Sequence, residues 1–145
     1  MRASVLLLFS LAISFFTFAQ KDPVERIWMS AEKTSKIEIY KAVDGNFYGK
    51  VIWLKEPNDK KGKPKLDEQN KDEKQRNQPI MGLLIIKKFK KSATANEYDE
   101  GTVYDPNNGK TYCAKLTLKG KELKLNGFVC GFTWLGRSTT WSLVE

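Results

Sequence analysis

The side chains able to do chemistry form a short and selective list. No histidine occurs in the chain, which removes Ser-His-Asp and Cys-His nucleophilic sites, histidine acid–base catalysis and most zinc sites. What remains for catalysis is Asp67, Asp99 or Asp105 with Tyr104 and Lys50, as paired carboxylates or a lysine-activated nucleophile. Such a site requires those acids to converge in one cleft. The spacing Asp67, Asn70, Asp72 invites a calcium loop, but Lys71 sits where an oxygen ligand belongs and the required glycine is absent. No metal or other cofactor is expected. Asp67 and Asn70 are read instead as caps for backbone donors of their own loop. The sequence names no reaction, and binding is the leading chemistry: Tyr48, Lys50, Tyr104 and Arg137 are the candidates to line a ligand site.

Positioning those residues is the work of short alternating segments. Residues 36–54, KIEIYKAVDGNFYGKVIWL, read as a hairpin around an Asp44-Gly45 turn. In that register Ile37, Ile39 and Val43 share the buried face with Tyr48, Ile52 and Leu54, and Lys50 lies among them. It would pair a buried acid, bind an anionic head, or snorkel to the rim. Ile80–Phe89 is an apolar run bounded by strands and interrupted by Gly82, read as a buried strand. Asp105-Pro106 and Asn108-Gly109 specify a tight turn. Trp28, flanked by Ile27 and Met29, reads as a core plug closing one barrel end. Gly136-Arg137 ahead of a Thr-rich strand ending in Trp141 suggests that arginine and tryptophan stack at the closing seam.

Cys113 and Cys130 belong to the hairpin built from residues 111–118 and 123–130. Alternation puts both thiols on the outer side of adjacent strands, either opposite or one diagonal step apart. In an oxidising compartment they would bridge, adding roughly 3 kcal/mol by loop entropy; the alternative is two unpaired thiols.

The first nineteen residues hold Arg2, an apolar run from Val5 to Phe18, and small residues at Thr17 and Ala19. This is the pattern of an export signal cleaved after Ala19. The run is short for a membrane span, and no cysteine follows it to mark a lipoprotein. Residues 20–145 are the size of one domain. The chain carries 25 Lys and Arg against 17 Asp and Glu, a formal charge of +8, spread along the sequence without any nucleic-acid motif. Residues 55–79, KEPNDKKGKPKLDEQNKDEKQRNQP, form one long charged excursion with at most a short helical turn. About eight candidate strands suffice to close a small antiparallel up-and-down barrel.

The chain resembles the bacterial domain-of-unknown-function family 2147, small exported proteins without an established activity. The resemblance runs through IEIY at 37–40, YGKVIWL at 48–54 and the Asp67, Asn70, Arg76 spacing. It continues through Pro79 and Gly82, YDPNNGKTY at 104–112, the KLTL and LKLNG pair, and GRSTTW at 136–141. The sequence departs at Arg26 and Asn126, where the family usually has glycine and arginine. The resemblance implies a lipocalin-like barrel. It leaves two roles open: an exported envelope protein whose barrel mouth binds a small amphipathic or acidic molecule, or a filled barrel that docks an envelope partner through its basic surface and the 55–79 loop. Neither involves nucleic acid or a transmembrane span in the mature chain.

Overall fold

The computed structural model describes residues 20–144; the expected export segment, residues 1–19, lies outside the described residues. Eight strands follow one another around a closed antiparallel barrel: β1 (Ile27–Met29), β2 (Ser35–Lys41), β3 (Phe47–Leu54), β4 (Leu84–Lys91), β5 (Glu97–Asp105), β6 (Lys110–Lys119), β7 (Glu122–Val129) and β8 (Phe132–Leu143). Each strand pairs with its neighbour in sequence, and β8 returns to β1. Closure satisfies the edges that an open sheet of alternating strands would expose. No helix among the described residues is long and apolar enough to cross a membrane.

The expected β2–β3 hairpin forms, but one residue out of the anticipated register. Five residues, 42–46, make the connection: Gly45 N–H donates to the Ala42 carbonyl at 3.0 Å and Ala42 N–H to the Asn46 carbonyl at 2.9 Å. Lys41 therefore faces Phe47 and Ile37 faces Val51. A two-residue Asp44-Gly45 turn would have paired the strands one step further on, and a one-step slip exchanges the faces of a strand. The buried set of β3 is thus Phe47, Gly49 and Val51, whereas Val43 is fully exposed in the turn. Tyr48 and Lys50, expected in the barrel mouth, stand on the outer face.

One end of the interior is packed solid. Trp28, Phe47, Phe89 and Tyr98 are essentially inaccessible, and Phe47 meets Tyr98 edge to face at 5.1 Å. The Trp28 indole donates to the Val24 carbonyl at 3.0 Å, on the side from which the chain enters. Phe89 reaches this layer because β4 and β5 bulge together: Lys87 faces Thr102 and Lys90 faces Asp99, with Lys88 and Glu100 in left-handed backbone between them. The ring then lies across Gly101, where an added Cβ would fall 2.2 Å from it. Outside this plug, the Tyr98 hydroxyl and the Lys91 ammonium, at 2.7 Å, both donate to Asp22. The entering segment is strapped to β4 and β5.

The other end is loosely closed. β1 has three residues and meets β8 only at Ser142 and Leu143, while β8 continues back to Phe132 against β7 alone. The seam between β8 and the β1–β2 turn stands open over most of the length of β8.

Candidate functional site

The open end and the seam lead into one cavity of about 1300 Å³. Its floor is apolar, formed by Ile37, Val51, Ile85, Leu125 and Trp141; Val103, Tyr104 and Tyr112 make one wall. Ile37, Val51, Leu125 and Trp141 are inward positions set by ordinary alternation, and Val103 faces Tyr112 across β5 and β6, while Tyr104, the next residue along β5, presents the opposite face. Space is left where small residues line the β7–β8 face: Gly127 lies opposite Arg137, and Thr139 opposite Leu125. The interior is therefore filled in one half and hollow in the other.

Arg137 is the notable polar group of the hollow half. It shares the inner face of β8 with Thr139 and Trp141, and no carboxylate of the described residues lies within salt-bridge distance of it. Of the two other lining cations, Lys65 holds Glu56 at 3.4 Å on the rim, and Lys55 has no carboxylate of the described residues within salt-bridge distance. An anionic group entering the cavity meets one unneutralised guanidinium above an apolar floor. The expected stack of Arg137 on Trp141 does not form. Four residues along a strand separate the two by roughly 13 Å, and Trp141 instead lies buried in the floor, paired with Leu123.

Of the four ligand candidates, the barrel brings Tyr104 and Arg137 to the cavity and leaves Tyr48 and Lys50 outside. Lys50 binds Glu38 across the β2–β3 ladder at 3.2 Å, and the Tyr48 hydroxyl donates to Asp44 at 2.7 Å. Trp134, Leu135, Gly127 and Thr139 were missed as lining residues. For Thr139 the signal was present, since alternation from Trp141 places it and Arg137 on one face.

Tyr104 is committed elsewhere. Its hydroxyl donates to Asp67 Oδ1 at 2.6 Å, and Asn70 Nδ2 donates to Asp67 Oδ2 at 2.7 Å. Asp67 is wholly buried. Burial, and then the bond to Asp67, hold the Tyr104 hydroxyl well above the ordinary tyrosine range. Asp67 thus does not cap loop backbone as expected; two side chains satisfy it, and it fixes the long loop to β5. Asn70 does cap, accepting from Asp72 N–H at 2.9 Å, while Arg76 Nε donates to the Asn70 carbonyl at 2.8 Å. The β5–β6 turn completes the contact. Gly109, at φ +66°, lets the turn press so closely that a Cβ there would sit 1.8 Å from the Gln69 carbonyl oxygen. The 55–79 loop is therefore a fixed wall of the mouth, with one 3₁₀ turn at Glu73–Gln75.

Asp99 does not pair with Asp105. Asp99 and Asp105 lie six residues apart on β5, roughly 20 Å along the strand. Asp105 is occupied by Asn107 N–H and Asn108 Nδ2, both at 2.9 Å. Among the described residues no three metal-ligating side chains come together.

Comparison with known proteins places this geometry. The family model described as "Uncharacterized protein conserved in bacteria (DUF2147)" matches residues 27–142, from the start of β1 to the last residue but one of β8. The chain belongs to this family. The match includes the Asp67–Asn70–Arg76 spacing, the YDP-x-x-GK turn and the GR-x-x-x-W strand, so in this DUF2147 chain the first two motifs form the loop lock and the third lines the cavity. A solved structure is similar in fold: protein HP1028 from Helicobacter pylori, described as belonging to the lipocalin family. It superposes with a TM-score of 0.73 at 23% identity, over 84% of this chain and 83% of that one. No curated protein matches the DUF2147 chain significantly.

Proposed function

We propose that this protein is an exported, non-catalytic binding barrel that takes a small amphipathic acid into its mouth, its apolar part on the floor and its anionic head against Arg137. Residues 1–19 act as the export signal and residues 20–145 as the mature protein, in the bacterial envelope. An eight-stranded barrel is either filled by side chains or holds one small ligand, as lipocalins do. The observation that carries the reading is the cavity of about 1300 Å³ with an apolar floor and two lining cations, Lys55 and Arg137, that have no carboxylate within salt-bridge distance among the described residues. Binding sites of this kind pair a largely apolar surface with a few convergent polar groups. The disulfide between Cys113 and Cys130 is compatible with an oxidising compartment.

The test is native mass spectrometry of protein recovered from the periplasm, with solvent extraction of bound species, followed by titration with a fluorescent fatty acid. A copurifying acid, or saturable binding that Arg137→Gln weakens about ten- to a hundredfold, is the expected result. Arg137 is exposed at the mouth, so its contact with the head should weaken as ionic strength rises, whereas the apolar contribution of the floor should not. A clean apo mass together with no saturable binding overturns the proposal.

A further inference from the structure

Four large apolar side chains stand in solvent on a single turn. Val129, Phe132, Trp134 and Leu135 are 46, 47, 73 and 53% exposed, and all lie where β7 passes into β8. The pairing there jumps from Phe128 facing Gly136 to Val129 facing Phe132. Thr133, Trp134 and Leu135 are consequently pushed out of the ladder. The turn is nonetheless braced: Cys130 is bonded to Cys113 on β6, and the Phe132 and Trp134 rings meet edge to face at 5.1 Å. A fixed projection that leaves this much apolar surface in water marks a contact surface.

Charge on the same end indicates the partner. Residues 55–65 hold Lys55, Lys60, Lys61, Lys63 and Lys65 against Glu56 and Asp59. A bridge between Asn58 and Pro64 folds this stretch into a small hairpin whose tip lysines are exposed. Lys55 and Lys65 line the same cavity as Trp134 and Leu135, so the lysine hairpin and the apolar turn are two lips of one mouth. An indole and neighbouring apolar groups beside lysines is the composition that settles at the boundary between water and an anionic bilayer. A protein partner asks for something else, a broad patch of at least about 1,200 Å² in total with a polar rim around an apolar centre. Here the apolar groups project from one narrow turn with a hollow behind them.

We propose that the mouth of the barrel docks on an anionic lipid surface, Phe132, Trp134 and Leu135 entering at headgroup depth and the 55–65 lysines holding lipid phosphates. Docked in this way, the cavity and the open seam face the bilayer. The proposal concerns the lips of the mouth and holds whether or not the floor carries a ligand.

The experiment is co-sedimentation with vesicles of phosphatidylcholine, alone or mixed with phosphatidylglycerol, comparing variants in the same purified form. The protein should bind the mixed vesicles, more weakly as salt rises. Phe132→Ser with Trp134→Ser should lower partitioning about tenfold or more. Reversing Lys60, Lys61 and Lys63 to glutamate should do so on mixed vesicles but not on phosphatidylcholine alone. Brominated lipid should quench the wild-type fluorescence and spare that of Trp134→Phe, a readout that keeps an aromatic ring at the tip and does not depend on the double variant. Absence of vesicle binding, or binding that the tip variants leave unchanged, overturns the proposal. A dimer that the tip variants dissolve, without vesicle binding, assigns the turn to a second copy instead.

Discussion

A buried aspartate with two side-chain donors is an expensive group to leave half satisfied. Tyr104→Phe removes the donor to Asp67 Oδ1 and should cost about 1–3 kcal/mol in urea unfolding. The same bond sets a pH dependence. Because the folded Tyr104 hydroxyl is raised above its ordinary value, the folded state keeps a proton that the unfolded chain has lost. The stabilisation is complete below pH ~10 and declines as pH rises beyond it. Unfolding free energies compared at mildly and strongly alkaline pH should fall less steeply in Tyr104→Phe than in the parent; equal slopes would remove Tyr104 from that role. Tyr98, raised by burial and by its bond to Asp22, leaves a residual slope in both. Gly109→Ala should cost upwards of about 1 kcal/mol, because left-handed backbone and the Gln69 carbonyl both reject a Cβ. None of this partnership was readable from local pattern. Asp67 and Tyr104 lie 37 residues apart, and only the resemblance marked both motifs, without indicating that they meet.

At the scale of elements, alternation was readable and register was not. The outer placement of Cys113 and Cys130 followed from period two on β6 and β7, and the ladder resolves the choice left open. Cys113 faces Phe128, so Cys130 is one diagonal step on, with Cα atoms 5.0 Å apart. Removing the bridge by Cys113→Ser with Cys130→Ser should lower stability by roughly 3 kcal/mol and loosen the β7–β8 turn. Faster amide exchange confined to that turn and β8, alongside the lower melting temperature, is the expected signature. On β2 and β3 the same alternation misleads, because the connection has five residues and the side chains from Phe47 to Ile52 change faces; past the bulge at Lys36 and Ile37, Leu54 keeps its expected place against the core. Tyr48 and Lys50 were lost as mouth residues by that single step. Arg137 and Trp141 were correctly placed on one face of β8, but an extended strand holds residues four apart beyond stacking reach.

For the molecule as a whole, the eight-stranded closed barrel was legible from strand count, turn residues and the family resemblance, since each rests on short-range pattern. Its division into a packed and a hollow half was not, because that depends on where β1 ends relative to β8. Three residues of β1 must close a seam against a strand of twelve. Stability should therefore be polarised along the barrel axis. Amides of the plug layer, around Trp28, Phe47, Phe89 and Tyr98, should exchange only through global unfolding. Along Gly136–Thr140, where β8 is paired with β7, protection should alternate, with N–H groups aimed at β7 slow and those aimed at the open seam fast. A ligand seated against Arg137 and Thr139 covers the seam from within, so saturating fatty acid should slow the fast set while leaving the plug layer limited by global stability. Uniform protection of both β8 edges in the free protein would mean that the seam is closed in solution, and the cavity would then need a different entrance.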